Sequence, residues 1–262
     1  MSAQEIKLVL TDVDGTILPA GRHRVSERMM AAMRACIAAG IRVGAASGRD
    51  RSRLSTVFDN DPACCATMLA TNGMEIYLDG RCILQKTLSR EALLQVAELA
   101  PGFVCCEGPE PYVIAGSVGD LAAVLPEYAA AAHTAAAVPE VPIVKAFVFC
   151  GSDPRTSAAL RAELTEAVPE LGFTLPAPGV IGIVPRGWSK ADGVDLLRRE
   201  LGLSREQVLV CGDSDNDIEM LAAYPRSVAV AGASPEAKAA ASATIGACED
   251  DAVASLLEGL LV

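Results

Sequence analysis

Histidine, aromatic side chains and positive charge are all in short supply in this chain, and their scarcity narrows its chemistry. The only histidines are His23 and His133, and no Cys-x-x-Cys pair occurs, so nothing in the spacing assembles a zinc centre. Lys and Arg number 22 against 33 Asp and Glu, a formal net charge of -11, so nucleic acid and anionic membrane surfaces are repelled at long range and neither is expected as a partner. No apolar stretch approaches the roughly 18 residues of a membrane span, and the short run near the start is too brief for a signal peptide. The alanine-rich span from Leu121 to Val138 is broken by Pro126, Glu127 and His133 and reads as a water-soluble helix. Nine cysteines, with adjacent pairs at Cys64-Cys65 and Cys105-Cys106, do not resemble a disulfide framework, and a reduced, cytoplasmic setting is expected.

What is present is globular. The 262 residues are 51% hydrophobic and 21% charged, enough for a substantial core and for two units of ordinary size. Aromatics supply only 4% and alanine much of the apolar share, so helices should be plentiful.

Strand and helix patterns alternate at both ends, which predicts an α/β fold with a parallel sheet between helices. Ile6 to Leu10 reads as a buried strand. A helix capped by Ser26 follows, with Met29, Met33, Cys36 and Ile37 on one face and Gly40 beyond its end. Further strands are expected at Ile41 to Ala46 and Ala66 to Ala70, with a helix from Asp50 between them. After Ser189 come a helix to Leu201, a strand at Val208 to Cys211, a helix from Asp215 to Ala223, a strand at Val228 to Ala231, a helix opened by Ser234-Pro235-Glu236, a strand near Ile245 and a last helix. Between these halves, a hairpin at Asp79-Gly80 leads into a mixed α+β unit with helices near 90–100, 118–132 and 154–168. The expected organisation is a sheet domain at 1–86 and 186–262, interrupted by an insertion at 87–185 suited to act as a lid.

The polar residues of interest fall at strand ends, where open parallel sheets bind ligands. Asp12 and Asp14 sit two apart, a spacing that puts both carboxylates on one side of an extended chain. Gly15 permits a sharp turn after them, and Thr16 offers a hydroxyl. Two close carboxylates repel, so the pair calls for a cation or a shared proton. The plainer reading is two exposed loop acids before a glycine turn. Asp213, Asp215 and Asp217 form a second acidic group, explicable as a helix start or, beside the first pair, as an oxygen-rich magnesium site. An EF-hand is excluded, because Ile218 and Tyr224 occupy its required glycine and bidentate-glutamate positions.

Ser47-Gly48 at the end of the second strand offers a hydroxyl and N–H groups to a phosphate, or simply turns the chain. Lys190 falls in a first helical turn behind Ser189, where a cation opposes the helix dipole unless an anion is near. Asn72 either touches a substrate or turns the chain, and Trp188 is expected to pack near the hinge.

Taken in order, Leu8-Val9-Leu10-Thr11-Asp12-Val13-Asp14-Gly15-Thr16, Ser47-Gly48-Arg49, Lys190 and Gly212-Asp213-Ser214-Asp215-Asn216-Asp217 resemble the four motifs of the haloacid dehalogenase superfamily. The inserted unit and Thr71-Asn72-Gly73 resemble its Cof-like, class IIB branch. The resemblance covers nearly the whole chain. It implies a Rossmann-like core with an α+β cap, and a Mg2+-dependent phosphatase of small phosphorylated metabolites, sugar phosphates among them.

By the same resemblance, Asp12 is the nucleophile that becomes an aspartyl-phosphate and Asp14 is the general acid and base. The metal is held by Asp12, the backbone carbonyl of Asp14, and Asp213. Ser47, Gly48 and Lys190 bind the phosphoryl group, while Thr16, Asn72, Asn216 and Asp217 support them. The sequence departs from the usual pattern at Lys190, where Ala191-Asp192-Gly193 follows in place of an immediate glycine. A phosphomutase, a phosphoacceptor switch and a non-catalytic metabolite-binding protein are the competing readings.

Overall fold

A computed structural model describes residues 5–262. The chain first lays down β1 (Leu8–Thr11), α1 (Glu27–Ala38), β2 (Arg42–Ala46), α2 (Arg51–Val57), β3 (Met68–Ala70), β4 (Glu75–Leu78) and β5 (Arg81–Gln85). It then builds α3 (Arg90–Leu99), β6 (Phe103–Glu107), β7 (Glu110–Ala115), α4 (Val118–Val124), α5 (Pro126–Ala129), β8 (His133–Thr134), β9 (Lys145–Phe149), α6 (Pro154–Ala167), β10 (Leu171–Ala177) and β11 (Val180–Pro185). It closes with α7 (Lys190–Glu200), β12 (Val208–Gly212), α8 (Ile218–Ala223), β13 (Arg226–Ala229), α9 (Pro235–Ala240), β14 (Ala243–Thr244) and α10 (Ala252–Gly259).

Two compact units result: the chain through Leu84 together with Ser189–Val262, and the insertion Gln85–Trp188. The first holds an eight-stranded sheet in the order β14-β13-β12-β1-β2-β3-β4-β5, parallel from β14 to β3 and antiparallel at β3–β4. Its four central strands are buried apolar runs, as a sheet covered on both faces requires. From β1 the sequence runs outward through β2 and β3 on one side and resumes at β12 on the other. The carboxyl ends of β1 and β12 therefore border a topological switch point, the crevice where such sheets bind ligands.

Caps fix where the flanking helices begin. Ser26 Oγ accepts from Met29 N, and Asp50 accepts from Arg53 N. Gly40 turns the chain out of α1 at φ +86°, a conformation that costs a glycine little. At the start of α7 the backbone comes very close to a second segment: a Cβ on Gly193 would lie 2.9 Å from Gly73 Cα.

The insertion has its own six-stranded sheet, ordered β10-β11-β9-β6-β7-β8. One core cluster joins Val104, Cys106, Val113, Phe147, Phe149 and Val180 from the strands with Leu121 and Tyr128 from α4 and α5. Lys86 Nζ lies 4.6 Å from the centre of the Trp188 ring, which places the single tryptophan at one of the unit's two chain crossings.

Three local expectations are corrected. The helix read over 118–132 is two short helices divided at Leu125, because Pro126 brings no N–H and restricts the residue before it, and the alanine-rich span then enters β8. The strand read at Val228 to Ala231 is Arg226–Ala229, set back because buried Ser227 exchanges hydrogen bonds with Ser242 while Ala231 N bonds to Gly246 O beyond the strand. The strand near Ile245 is Ala243–Thr244. Among the described residues, no helix is long and apolar enough to cross a membrane.

Candidate active site

At the end of β1 the backbone N of Asp12 still donates to Cys211 O of β12, at 2.8 Å, so the first acid is held in line with its neighbouring strand. Its side chain is buried, and Asp12 Oδ1 accepts from Lys190 Nζ at 2.6 Å. The same ammonium donates to Asp217 Oδ1 at 2.7 Å. Lys190 is wholly enclosed, with 0% of its side chain exposed, and this resolves the unfavourable place of a cation at a helix start. The first turn of α7 is set by reciprocal hydrogen bonding between Ser189 and Asp192.

Asp217 also serves the loop after β12. Its Oδ2 accepts from the backbone N of Asp213 and of Ser214, at 3.0 and 3.1 Å, curling the chain so that Asp213 faces the end of β1. There Thr16 Oγ1 donates to Asp213 Oδ1 at 2.7 Å. The turn from Val13 to Leu18 presents Thr16, and Gly15 within it has φ +84°. A Cβ on Gly15 would lie 2.5 Å from Asp213 Oδ2, so this glycine is required both by its conformation and by the carboxylate resting on it.

Carboxylate oxygens of Asp12, Asp213 and Asp217 lie within 4.8 Å of one another. Three acids around a single ammonium carry excess negative charge in a largely enclosed place, and the acidities respond accordingly. Burial raises Asp12 well above the ordinary carboxylate range, with Lys190 opposing and Asp217, Asp213 and Asp14 reinforcing. Asp213 rises to about 6, through burial first and repulsion from Asp217 second, against the Thr16 hydrogen bond. Burial alone would lower the Lys190 pKa, yet Asp12 and Asp217 outweigh it and keep the ammonium charged. An all-oxygen donor set with unbalanced negative charge suits a hard divalent cation and offers nothing to a soft one.

Asp14 stands apart from this cluster. Asp14 is 53% exposed, and its oxygens accept from Arg49 Nε at 2.8 Å and Nη2 at 2.7 Å. The third place among the carboxylates belongs to Asp217. Arg49 was visible in the sequence as the cation ending Ser47-Gly48-Arg49, but no spacing rule linked it to Asp14.

Ser47 is buried at the end of β2, its Oγ accepting from Arg49 N. Its carbonyl accepts from Asn72 N, and Asn72 Oδ1 accepts from Asn216 Nδ2 at 2.9 Å. Asn72 thereby ties the Ser47-Gly48 turn to the acidic loop. It lies in a left-handed run in which Thr71, Asn72 and Gly73 have φ of +51°, +54° and +80°. For the β-branched Thr71 that conformation is strained, and its placement beside the site fits the tendency of strain to gather at functional positions. Asp215 does not join the carboxylate group.

Comparison with known proteins bears on the family and the fold. A family model described as haloacid dehalogenase-like hydrolase matches residues 9–109 and 126–257. The 5-amino-6-(5-phospho-D-ribitylamino)uracil phosphatase YbjI of Escherichia coli is 28% identical over 268 residues, covering 98% of this chain and 96% of its own. A chloroplastic endoribonuclease YBEY of Arabidopsis thaliana is 32% identical over 116 residues, and that match takes in 44% of this chain but 20% of the plant protein's length. The subclass IIB sugar phosphatase BT4131 superposes with a TM-score of 0.83 at 18% identity, over 97% of this chain and 99% of its own.

Proposed function

The chain belongs to the haloacid dehalogenase-like hydrolases and is a phosphatase of small phosphorylated metabolites, and we propose that Asp12 receives the phosphoryl group in a magnesium-dependent, two-step hydrolysis. The observation that supports this most is the enclosed Lys190 bridging Asp12 and Asp217 at the mouth of the β1–β12 crevice. A buried ammonium on a nucleophile offsets charge that gathers on an incoming phosphate dianion, and it needs no rearrangement to do so.

Asp12, Asp213 and the backbone carbonyl of Asp14 would hold the metal. Bound there, magnesium supplies electrostatic stabilisation to the carboxylates and the phosphate oxygens. In the first step a carboxylate oxygen of Asp12 bonds to phosphorus as the ester P–O bond breaks, and Asp14 passes its proton to the departing alkoxide. In the second, Asp14 takes a proton from water as that water attacks phosphorus, and the bond to Asp12 breaks to release inorganic phosphate. Ser47 and the N–H groups of its turn orient the phosphate oxygens, and Asn72 with Asn216 keeps that turn in register with the acidic loop.

Sugar and sugar-alcohol phosphates are the proposed substrate class. The insertion Gln85–Trp188 is the unit proposed to select among them as a cap. Nine free cysteines, eight of them buried, favour a reducing, cytoplasmic setting.

Purified protein should release inorganic phosphate from a hexose-phosphate panel with magnesium, stop on chelation and resume when magnesium returns. Asp12→Asn should lose at least about 1,000-fold in turnover with an unchanged circular-dichroism spectrum. Undiminished phosphate release by that variant would refute the assignment.

A further inference from the structure

Arg49 has no part in the mechanism above, yet its placement is specific. It follows the Ser47-Gly48 turn, its N–H donates to Ser47 Oγ at 3.2 Å, and its carbonyl accepts from Thr71 N at 2.9 Å. The next residue, Asp50, caps α2. The backbone of Arg49 is thus pinned to the phosphate turn on one side and to the strained run on the other. Its side chain is 24% exposed, and the guanidinium meets both oxygens of Asp14 edge to edge. Asp14 itself is half-exposed and stands just before Gly15, at the entry to the turn after β1, and the fork on both of its oxygens gives the carboxylate a direction. Exposed ion pairs add little to stability, and stability alone does not account for so anchored a donor.

We infer that Arg49 is a positioning residue for the hydrolysis, holding the Asp14 carboxyl group in the orientation from which it protonates the leaving oxygen. The inference rests on the role proposed for Asp14. A guanidinium presents its donors in a fixed plane. When Asp14 carries its proton on one oxygen, the other oxygen still accepts from Arg49, and the carboxyl keeps its aim. The Asp14 O–H bond then breaks as the new O–H bond forms on the alkoxide and the ester P–O bond is lost. Random orientation of an unclamped Asp14 removes that alignment without touching the nucleophile or the metal ligands.

The test compares kcat/KM, which reports ester cleavage, for p-nitrophenyl phosphate and for the hexose 6-phosphate that the unaltered enzyme turns over fastest. The aryl leaving group departs without a proton and the alkyl one does not. Arg49→Met should lower the alkyl value by about 30-fold or more and the aryl value by less than about 3-fold. Arg49→Lys, with one donor point in place of two, should fall between, and it also serves if the methionine variant does not fold. Arg49→Met combined with Asp14→Asn should be no worse than Asp14→Asn alone. Equal losses on both esters, or additive losses in the double variant, would overturn the inference while leaving the acid role of Asp14 intact. An Asp14→Asn variant that shows no alkyl-selective loss would overturn both.

Discussion

The two units of this protein bury different things. Among the described residues, the buried polar and charged side chains all lie in the first unit apart from Ser157, and most of them cluster at the carboxyl ends of β1, β2, β3 and β12. The insertion encloses aromatic and aliphatic groups such as Phe147, Phe149 and Tyr128. An enclosed charge is costly unless its partners are arranged for it, so the first unit accepts a local penalty that the second avoids. The contrast separates a region organised to do chemistry from one organised to hold a shape.

The largest expected effect comes from breaking the polar cluster. Lys190→Met leaves Asp12 and Asp217 enclosed without their cation, and should cost about 3–5 kcal/mol in urea unfolding along with nearly all phosphate release. Phe147→Ala in the insertion should cost a similar 3–5 kcal/mol through the cavity it leaves, but should change p-nitrophenyl phosphate turnover less than about 5-fold below its melting temperature. Comparable stability losses with opposite effects on turnover would sharpen the division between the units, and equal losses of turnover would erase it.

A pH experiment probes the same contrast. Asp213 has a folded pKa of about 6 against an ordinary carboxylate value of 3.8, so between these values the folded state binds more protons than the unfolded one. Stability of the metal-free protein should therefore fall as pH rises through this window, and Asp12, shifted in the same direction, should add to the trend. Thermal melts at pH 5 and 7 should show it, together with a larger rise in Tm from magnesium at pH 7; a metal-free protein more stable at pH 7 would contradict it. Smallest is Thr16→Val, which removes one hydrogen bond to Asp213. It should cost about 1–2 kcal/mol and raise the magnesium concentration for half-maximal activity several-fold, read by metal titration.

Much of the first unit was legible because its signals are local. A short apolar run ending in polar residues identifies a buried strand and its functional end, which is why Asp12, Ser47 and Asp213 could be placed at strand ends before any geometry was known. Lys190 was legible through a conflict, since a cation at a helix start calls for an anion. Legibility failed where the outcome hung on a distant partner. Asp14 pairs with Arg49, 35 residues on, and nothing in the alternation of residues encodes that contact. The same limit applies to β13, whose start depends on the distant Ser242 rather than on its own apolar run.

The approach of Gly73 and Gly193 sets a mechanical tolerance on the grip around Asp12. At Gly193 helix α7 lies close over the backbone of Gly73 and the side chain of Leu69, which leaves no room for a Cβ there. Any side chain at 193 would act as a shim. Since Lys190 is less than one helical turn away, a lift of a few tenths of an ångström there would pass to an ammonium already spanning two carboxylates. The clearance beneath one helix thus gauges how firmly the site grips Asp12, the residue proposed to accept the phosphate.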